Sequence, residues 1–196
     1  MASTNYPKGL AKREEILTSA LQIVAEHGYN KATIRELADA AGLSKTGLLH
    51  HFGTKEELFA EILRRRDEVD EAQIEKAISE GQAARISDLP RMSSSVAGLV
   101  QLYTRFSAEA TDPDHAAHEY FQARYERARE RSRAVIETFR SEGRVPESVD
   151  PEQAATTLVA LMDGLQIQWL FNPSIDMAQG VNFFLALLGM DSVSED

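Results

Sequence analysis

Apolar residues recur along this chain at steps of three and four, and no stretch shows the strict alternation of a half-buried strand, so the pattern predicts an all-α protein without internal repeats. Ile16, Ala20, Ile23, Val24 and His27 share a face that predicts a helix from Lys8 to His27, stopped by Gly28. Leu37, Ala41, Leu43 and Leu48 fall where two short helices crossing steeply would share a core. Leu58, Phe59, Ile62 and Leu63 line a fourth helix from Thr54 to about Glu80, and Gly81 to Asp88 reads as a connection. Met92, Val96, Leu99, Tyr103, Phe106 and Ala110 predict a helix over Leu89 to Glu109. Asp112-Pro113 has the form of an N-cap and first-turn proline, opening a helix to about Arg140 whose stripe is Phe121, Tyr125, Ala128, Ser132, Val135 and Phe139. Asp150-Pro151 repeats the signal for a helix bearing Leu158, Leu161, Leu165 and Trp169 on one face and Ala155, Val159 and Met162 on the next. Asn172-Pro173 stops it, and a last helix runs from about Ile175 to Leu188.

The densest local signals lie between Thr33 and Phe52. Thr33 with Glu36 is a capping box, Gly42 is a helix-ending glycine, and Ser44 is an N-cap for the next helix with only Leu43 between. This is the pattern of a helix-turn-helix, the alternative being a general helical hairpin. The second helix, about Lys45 to His51, turns Lys45, Thr46, Gly47 and His50 outward and Leu48 and Phe52 inward, as a helix that enters a major groove would. A second capping box, Thr54 with Glu57, starts the fourth helix, whose first amides and Lys55 suit a backbone phosphate.

The run Thr33-Ile34, Ala38, Ala41-Gly42-Leu43-Ser44-Lys45, followed by His50-His51-Phe52 and Lys55-Glu56 with Leu58, resembles the N-terminal domain of TetR-family transcriptional regulators, from about Lys12 to Leu63. With the domain change placed within the fourth helix, a DNA-binding domain is expected over 8–66 and a helical effector-binding and dimerisation domain over 67–190, and the polar, patternless 1–7, like 191–196, is expected to be flexible. The resemblance implies DNA contact by Thr33, Lys45, Thr46, Gly47, Leu49, His50 and Lys55. Two departures stand out. The family usually has tyrosine where this chain has Leu49, and leucine cannot donate that tyrosine's bond to a phosphate; the family's glycine after the serine is displaced, with Thr46 in its place and Gly47 following.

The last two helices are apolar over more of their circumference than one intramolecular contact covers. A two-fold dimer through Leu158, Leu161, Leu165, Val181, Phe184, Leu185 and Leu188, with Gly164 permitting a close crossing, would bury them, and the resemblance implies the same arrangement. A monomeric bundle with a thick core is the alternative. Polar groups set into the apolar stripes of the body mark Tyr103, Phe106, Phe121, Tyr125, Met162, Gln166 and Trp169 as candidate lining of a small-molecule pocket, or as ordinary core. No motif names the ligand.

Composition then narrows the picture. There is no cysteine, hence no disulfide or thiolate chemistry, and no apolar run is long enough to span a bilayer, so no membrane partner and a cytoplasmic location are expected. The net charge of −10 is divided: residues 1–66 hold ten Lys/Arg against eight Asp/Glu, and the remainder holds eleven against twenty-three. A mildly basic face can therefore meet phosphates while an acidic body stays in solvent. Arg64, Arg65 and Arg66 read either as DNA contacts or as a solvated face. His115 and His118, with Asp114 and Glu119, have the spacing of metal ligands but lack a sure third group, so neither metal nor cofactor is expected. His50-His51 has no neighbouring nucleophile, and no enzyme motif occurs. The sequence thus points to a ligand-responsive homodimeric regulator, a repressor released from a palindromic double-stranded DNA operator by a small-molecule effector; the alternative is a helical small-molecule- or protein-binding module with weak or no specific DNA binding, which Leu49 and the acidic total keep open.

Overall fold

A computed structural model describes residues 6–29, 31–79 and 97–190, and every regular element among them is a helix. In chain order these are α1 (Tyr6–His27), α2 (Ile34–Ala40), α3 (Lys45–Phe52), α4 (Lys55–Ser79), α5 (Ala97–Glu109), α6 (His118–Ser141), α7 (Pro151–Phe171) and α8 (Met177–Leu187). The expectations for Gly81 to Asp88, for Met92 and Val96, and for 191–196 lie outside the described residues. Helix α1 begins two residues before the predicted Lys8, because Pro7 costs nothing in a first turn whose N–H groups have no intrahelical acceptor.

The described residues form two compact units, 6–79 with 97–120, and 121–190. In the first, α1 packs on α2, α4 and α5 through Ile16, Leu17, Ala20 and Val24. Leu58, Phe59, Ile62 and Leu63 of α4 are wholly buried, each contributing about 1.5–3 kcal/mol relative to exposure. Gly98 lets α5 lie directly on α1: a Cβ there would stand 2.9 Å from Gly28 Cα and 3.0 Å from the Val24 carbonyl carbon. Three rings, Tyr29, Phe59 and Phe106, meet edge to face with centroids 5.0–5.8 Å apart and join the end of α1 to α4 and α5.

The start predicted at Asp112-Pro113 is corrected: residues 111–117 make consecutive turns and α6 begins at His118. Asp112 Oδ1 accepts the Asp114 N–H at 3.0 Å, and the His115 and His118 amides close three-residue turns on Asp112 and His115 at 3.1 and 2.9 Å. An Asp-Pro pair serves such a turn as well as a helix start, and the fully buried Ala117 anchors it.

The second unit is built from the remainder of α6 with α7 and α8. Its core holds Ile136, Val145, Ala155, Leu158, Leu165, Met177, Val181, Leu185 and Met190. Asp150 and Asp176 cap α7 and α8 by accepting the Glu152 and Gln179 amides at 3.0 and 2.9 Å, so the last helix starts at Met177, two residues past the expected Ile175. Gly180 brings α8 against the Leu165 side chain of α7.

Candidate nucleic-acid interface

Both capping boxes form. Thr33 N–H donates to Glu36 Oε2 at 2.9 Å and Glu36 N–H to Thr33 Oγ1 at 3.2 Å; Thr54 N–H donates to Glu57 Oε2 at 2.6 Å and Glu57 N–H to Thr54 Oγ1 at 3.1 Å. The hydrogen bonds from Thr33 hold the Glu36 carboxyl below its ordinary value. Between α2 and α3, Gly42 takes φ +66°, a left-handed conformation that side chains disfavour. Its N–H reaches Asp39 O at 3.1 Å, and the Leu43 N–H reaches Ala38 O at 2.8 Å, the paired bonds that close a helix on glycine. Ser44 Oγ then accepts the Gly47 N–H at 3.0 Å and starts α3.

Helix α3 is held from behind. Leu48 and Phe52 are buried, and Arg13 of α1 donates to the His51 carbonyl, stacks over Phe52 at 4.3 Å and pairs with Glu61 of α4 at 3.2 Å. Lys12 likewise donates to Ala41 O at 3.0 Å, fixing the end of α2. Neither role has a sequence signal, since each partner lies about 30 or more residues away.

The outer face of α3 presents Lys45, Thr46 and His50 exposed and Gly47 and Leu49 half-buried, and Thr33 is exposed at the start of α2. The Lys45 side chain has no ion pair or hydrogen bond among the described residues. Lys55 sits differently: its ammonium lies 5.4 Å from the Tyr29 ring and 5.2 Å from the Phe59 ring. Burial raises the Tyr29 hydroxyl above its ordinary value, opposed by Arg105, whose guanidinium covers the same ring at 4.9 Å. The basic run of α4 ties this unit together. Arg64 lies over Tyr120 at 5.5 Å, Arg65 pairs with Glu14 at 3.6 Å and Glu68 at 3.1 Å, and buried Arg66 lies over Tyr103 at 5.6 Å beside Asp70 at 3.6 Å. Tyr120 donates to Asp67 at 2.6 Å.

Residues 16–62 match the model of bacterial regulatory proteins of the tetR family, and residues 98–188 match that of the C-terminal part of BetI-type transcriptional repressors. The transcriptional repressor AcnR of Corynebacterium jeikeium is 30% identical over 160 residues, 80% of each chain. This chain belongs to the TetR family. The AcnR of Corynebacterium efficiens is 40% identical over 80 residues, a match that spans 41% of this chain and 40% of that repressor's length. Among solved structures, a transcriptional regulator from Saccharomonospora viridis in complex with choline is 25% identical, covering 89% of this chain and 95% of its own, with a TM-score of 0.70.

In this TetR-family chain the body's candidate residues divide between the units. Tyr103 and Phe106 are buried in the first, where Phe106 meets Tyr29, Phe59 and His115. Phe121, Tyr125, Met162, Gln166 and Trp169 belong to the second. Tyr125 donates to Asp163 of α7 at 2.7 Å, joining α6 to α7, and Asp163 escaped sequence reading because a lone acid in an apolar helix carries no motif. Gln166, one turn on, is buried with an Oε1 that has no hydrogen-bond partner among the described residues. Trp169 lines an open depression of about 440 Å³ with Pro173, Ile175, Asp176 and Met177. His115 Nδ1 accepts the Ala117 amide at 3.1 Å, while His118 Nδ1 meets Ala110 O at 2.8 Å.

The residues read from the sequence as a dimer interface all lie in the second unit. Leu158, Leu165, Val181 and Leu185 are buried in its core, and Leu161, Phe184 and Leu188 pack partly against it. The outer faces of α7 and α8 instead carry Ile167, Phe171, Phe183 and Leu187, exposed to 45%, 89%, 67% and 69%. Gly164, on the α7 face with Ile167 and Phe171, has no atom of another element among the described residues within 4 Å of where a Cβ would stand. Both helices are apolar on two faces, and periodicity alone cannot say which turns inward. Among the described residues no helix is long and apolar enough to cross a membrane.

Proposed function

We propose that the chain is a cytoplasmic, homodimeric transcriptional repressor whose α3 enters the major groove of a palindromic operator and which a small-molecule effector releases. The observation that carries it is α3 itself, pinned from behind by Arg13, Leu48 and Phe52 and presenting Lys45, Thr46, Gly47 and His50 outward within a TetR-family helix-turn-helix. The repressor names of the AcnR relatives support the direction of control. The exposed Ile167, Phe171, Phe183 and Leu187 support a two-fold contact between copies of α7 and α8, because such a contact would take these large apolar side chains out of water. Two recognition helices would then lie about 34–36 Å apart. The unpartnered Gln166 Oε1 and the Tyr125–Asp163 pair support an effector site in the second unit with Phe121 and Met162, Trp169 completing it. The solved relative that holds choline supports small-molecule response without naming this chain's ligand.

A mobility-shift titration of the full chain against DNA flanking its own coding region, at stated salt, tests the reading. Binding that survives a large excess of non-specific duplex is expected. Complexes that competitor removes as readily as from any other DNA would leave the alternative, a helical binding module with weak DNA affinity.

A further inference from the structure

Resting on the reading that α3 enters the major groove, we propose that Leu49 is a base-reading residue that packs against the C5-methyl group of a thymine in each half-site. Leu48 is wholly buried and Phe52 nearly so, which fixes the rotation of α3. Leu49 stands a quarter-turn from Leu48, half-buried at the edge of the outward surface, with exposed Lys45 and Thr46 one turn before it. Gly47, with no side chain, lets this part of the helix approach closely.

The chemistry of the groove then selects the base. Each base pair presents donors and acceptors there, and thymine adds the one apolar group. A leucine side chain has no donor for a phosphate or a base edge. Laid over the N7 and O6 or N6 edge of a purine it would remove water without replacing the lost hydrogen bonds, and over cytosine, whose C5 carries only hydrogen, it would find no methyl to bury against. The residue therefore discriminates twice, by burying a methyl against hydrocarbon where thymine is present and by stranding polar atoms where it is not.

The test uses the full chain and a duplex that the wild-type protein selects from a random pool. Each thymine is replaced in turn by uracil, which removes the C5-methyl and leaves every hydrogen-bonding atom in place, and affinity is read by fluorescence anisotropy at constant salt. Burying one methyl corresponds to about a fourfold change per half-site, or about fifteenfold for a symmetric pair. One symmetric pair of positions should show that loss. Leu49→Ala should bind the unmodified duplex more weakly by a similar factor and be indifferent to uracil there, while Leu49→Met, still apolar, should keep the sensitivity. Wild-type binding that tolerates uracil at every position, or a uracil effect that persists undiminished in Leu49→Ala, overturns the assignment. A wild-type protein that selects no duplex overturns it together with the DNA-binding function, whereas selection of a duplex with indifference to uracil overturns Leu49 alone.

Discussion

Adding one methyl group at Gly98 tests the backbone-to-backbone approach of α5 to α1. A Cβ there would sit 2.9 Å from Gly28 Cα and 3.0 Å from the Val24 carbonyl carbon, with the Val24 oxygen nearer still. These are backbone atoms of α1, so no rotamer change can relieve the overlap and the helices must separate. Two effects oppose each other. Alanine in place of glycine favours the helical conformation by up to about 1 kcal/mol, while overfilling a packed contact costs about 1–3 kcal/mol, with the upper end expected where the neighbour cannot yield. Gly98→Ala should therefore destabilise by about 2 kcal/mol, which for a chain of this length lowers Tm by about 4–8 °C. The urea midpoint and Tm, followed by circular dichroism at one protein concentration, measure it. Gly164→Ala is the control: among the described residues no other element lies within 4 Å of its Cβ position, so at concentrations where the chain is monomeric the propensity gain should stand alone. If Gly98→Ala were as stable as the wild type, α5 would not lie on α1 as described.

Lys45→Ala should weaken binding to all duplexes alike and make the log–log salt slope shallower by about one, whereas Lys55→Ala should also lower Tm, because its ammonium rests on the Tyr29 and Phe59 rings; a loss of base preference with an unchanged salt slope would refute the phosphate role of either. Glu36 has a carboxyl depressed below 4.5, so its contribution is present above that value and is lost as pH falls through the lower value of the folded state. The wild type should thus melt above Glu36→Gln at pH 7, with the gap closing in acid, and a gap independent of pH would refute the linkage. Phe183→Glu should convert a dimer to monomers in sedimentation without changing the helical circular-dichroism signal, and a monomeric wild type at micromolar concentration would remove the proposed interface.

The elements legible in the sequence are those decided within a few residues. Thr33 with Glu36, Gly42 with Ser44, and Thr54 with Glu57 each set a helix end through hydrogen bonds spanning five residues or fewer, and all three form as written. Asp112-Pro113 failed because the same local chemistry serves a turn, and the path of the chain beyond that pair is decided by burying Ala117. The inward choice of Val181 and Leu185 over Phe183 and Leu187 depends on α7, and the positions of Lys55 and Arg66 depend on the rings of Tyr29 and Tyr103, which other segments supply. Such choices are made between segments, and no window of one segment contains them.

Helix α5 carries a lesson for building hybrid regulators. Residues 98–188 match a C-terminal family model, yet 97–120 belong to the same compact unit as the helix-turn-helix, and α5 packs on α1 and α4 with Val100, Tyr103 and Phe106 buried. A graft that cuts the chain after the basic run of α4 would carry away one wall of the part it meant to transplant. Recombinants joined near residue 120, with 97–120 inherited alongside the DNA-reading helices, keep that wall with its own lodgers and exchange only the segments beyond it.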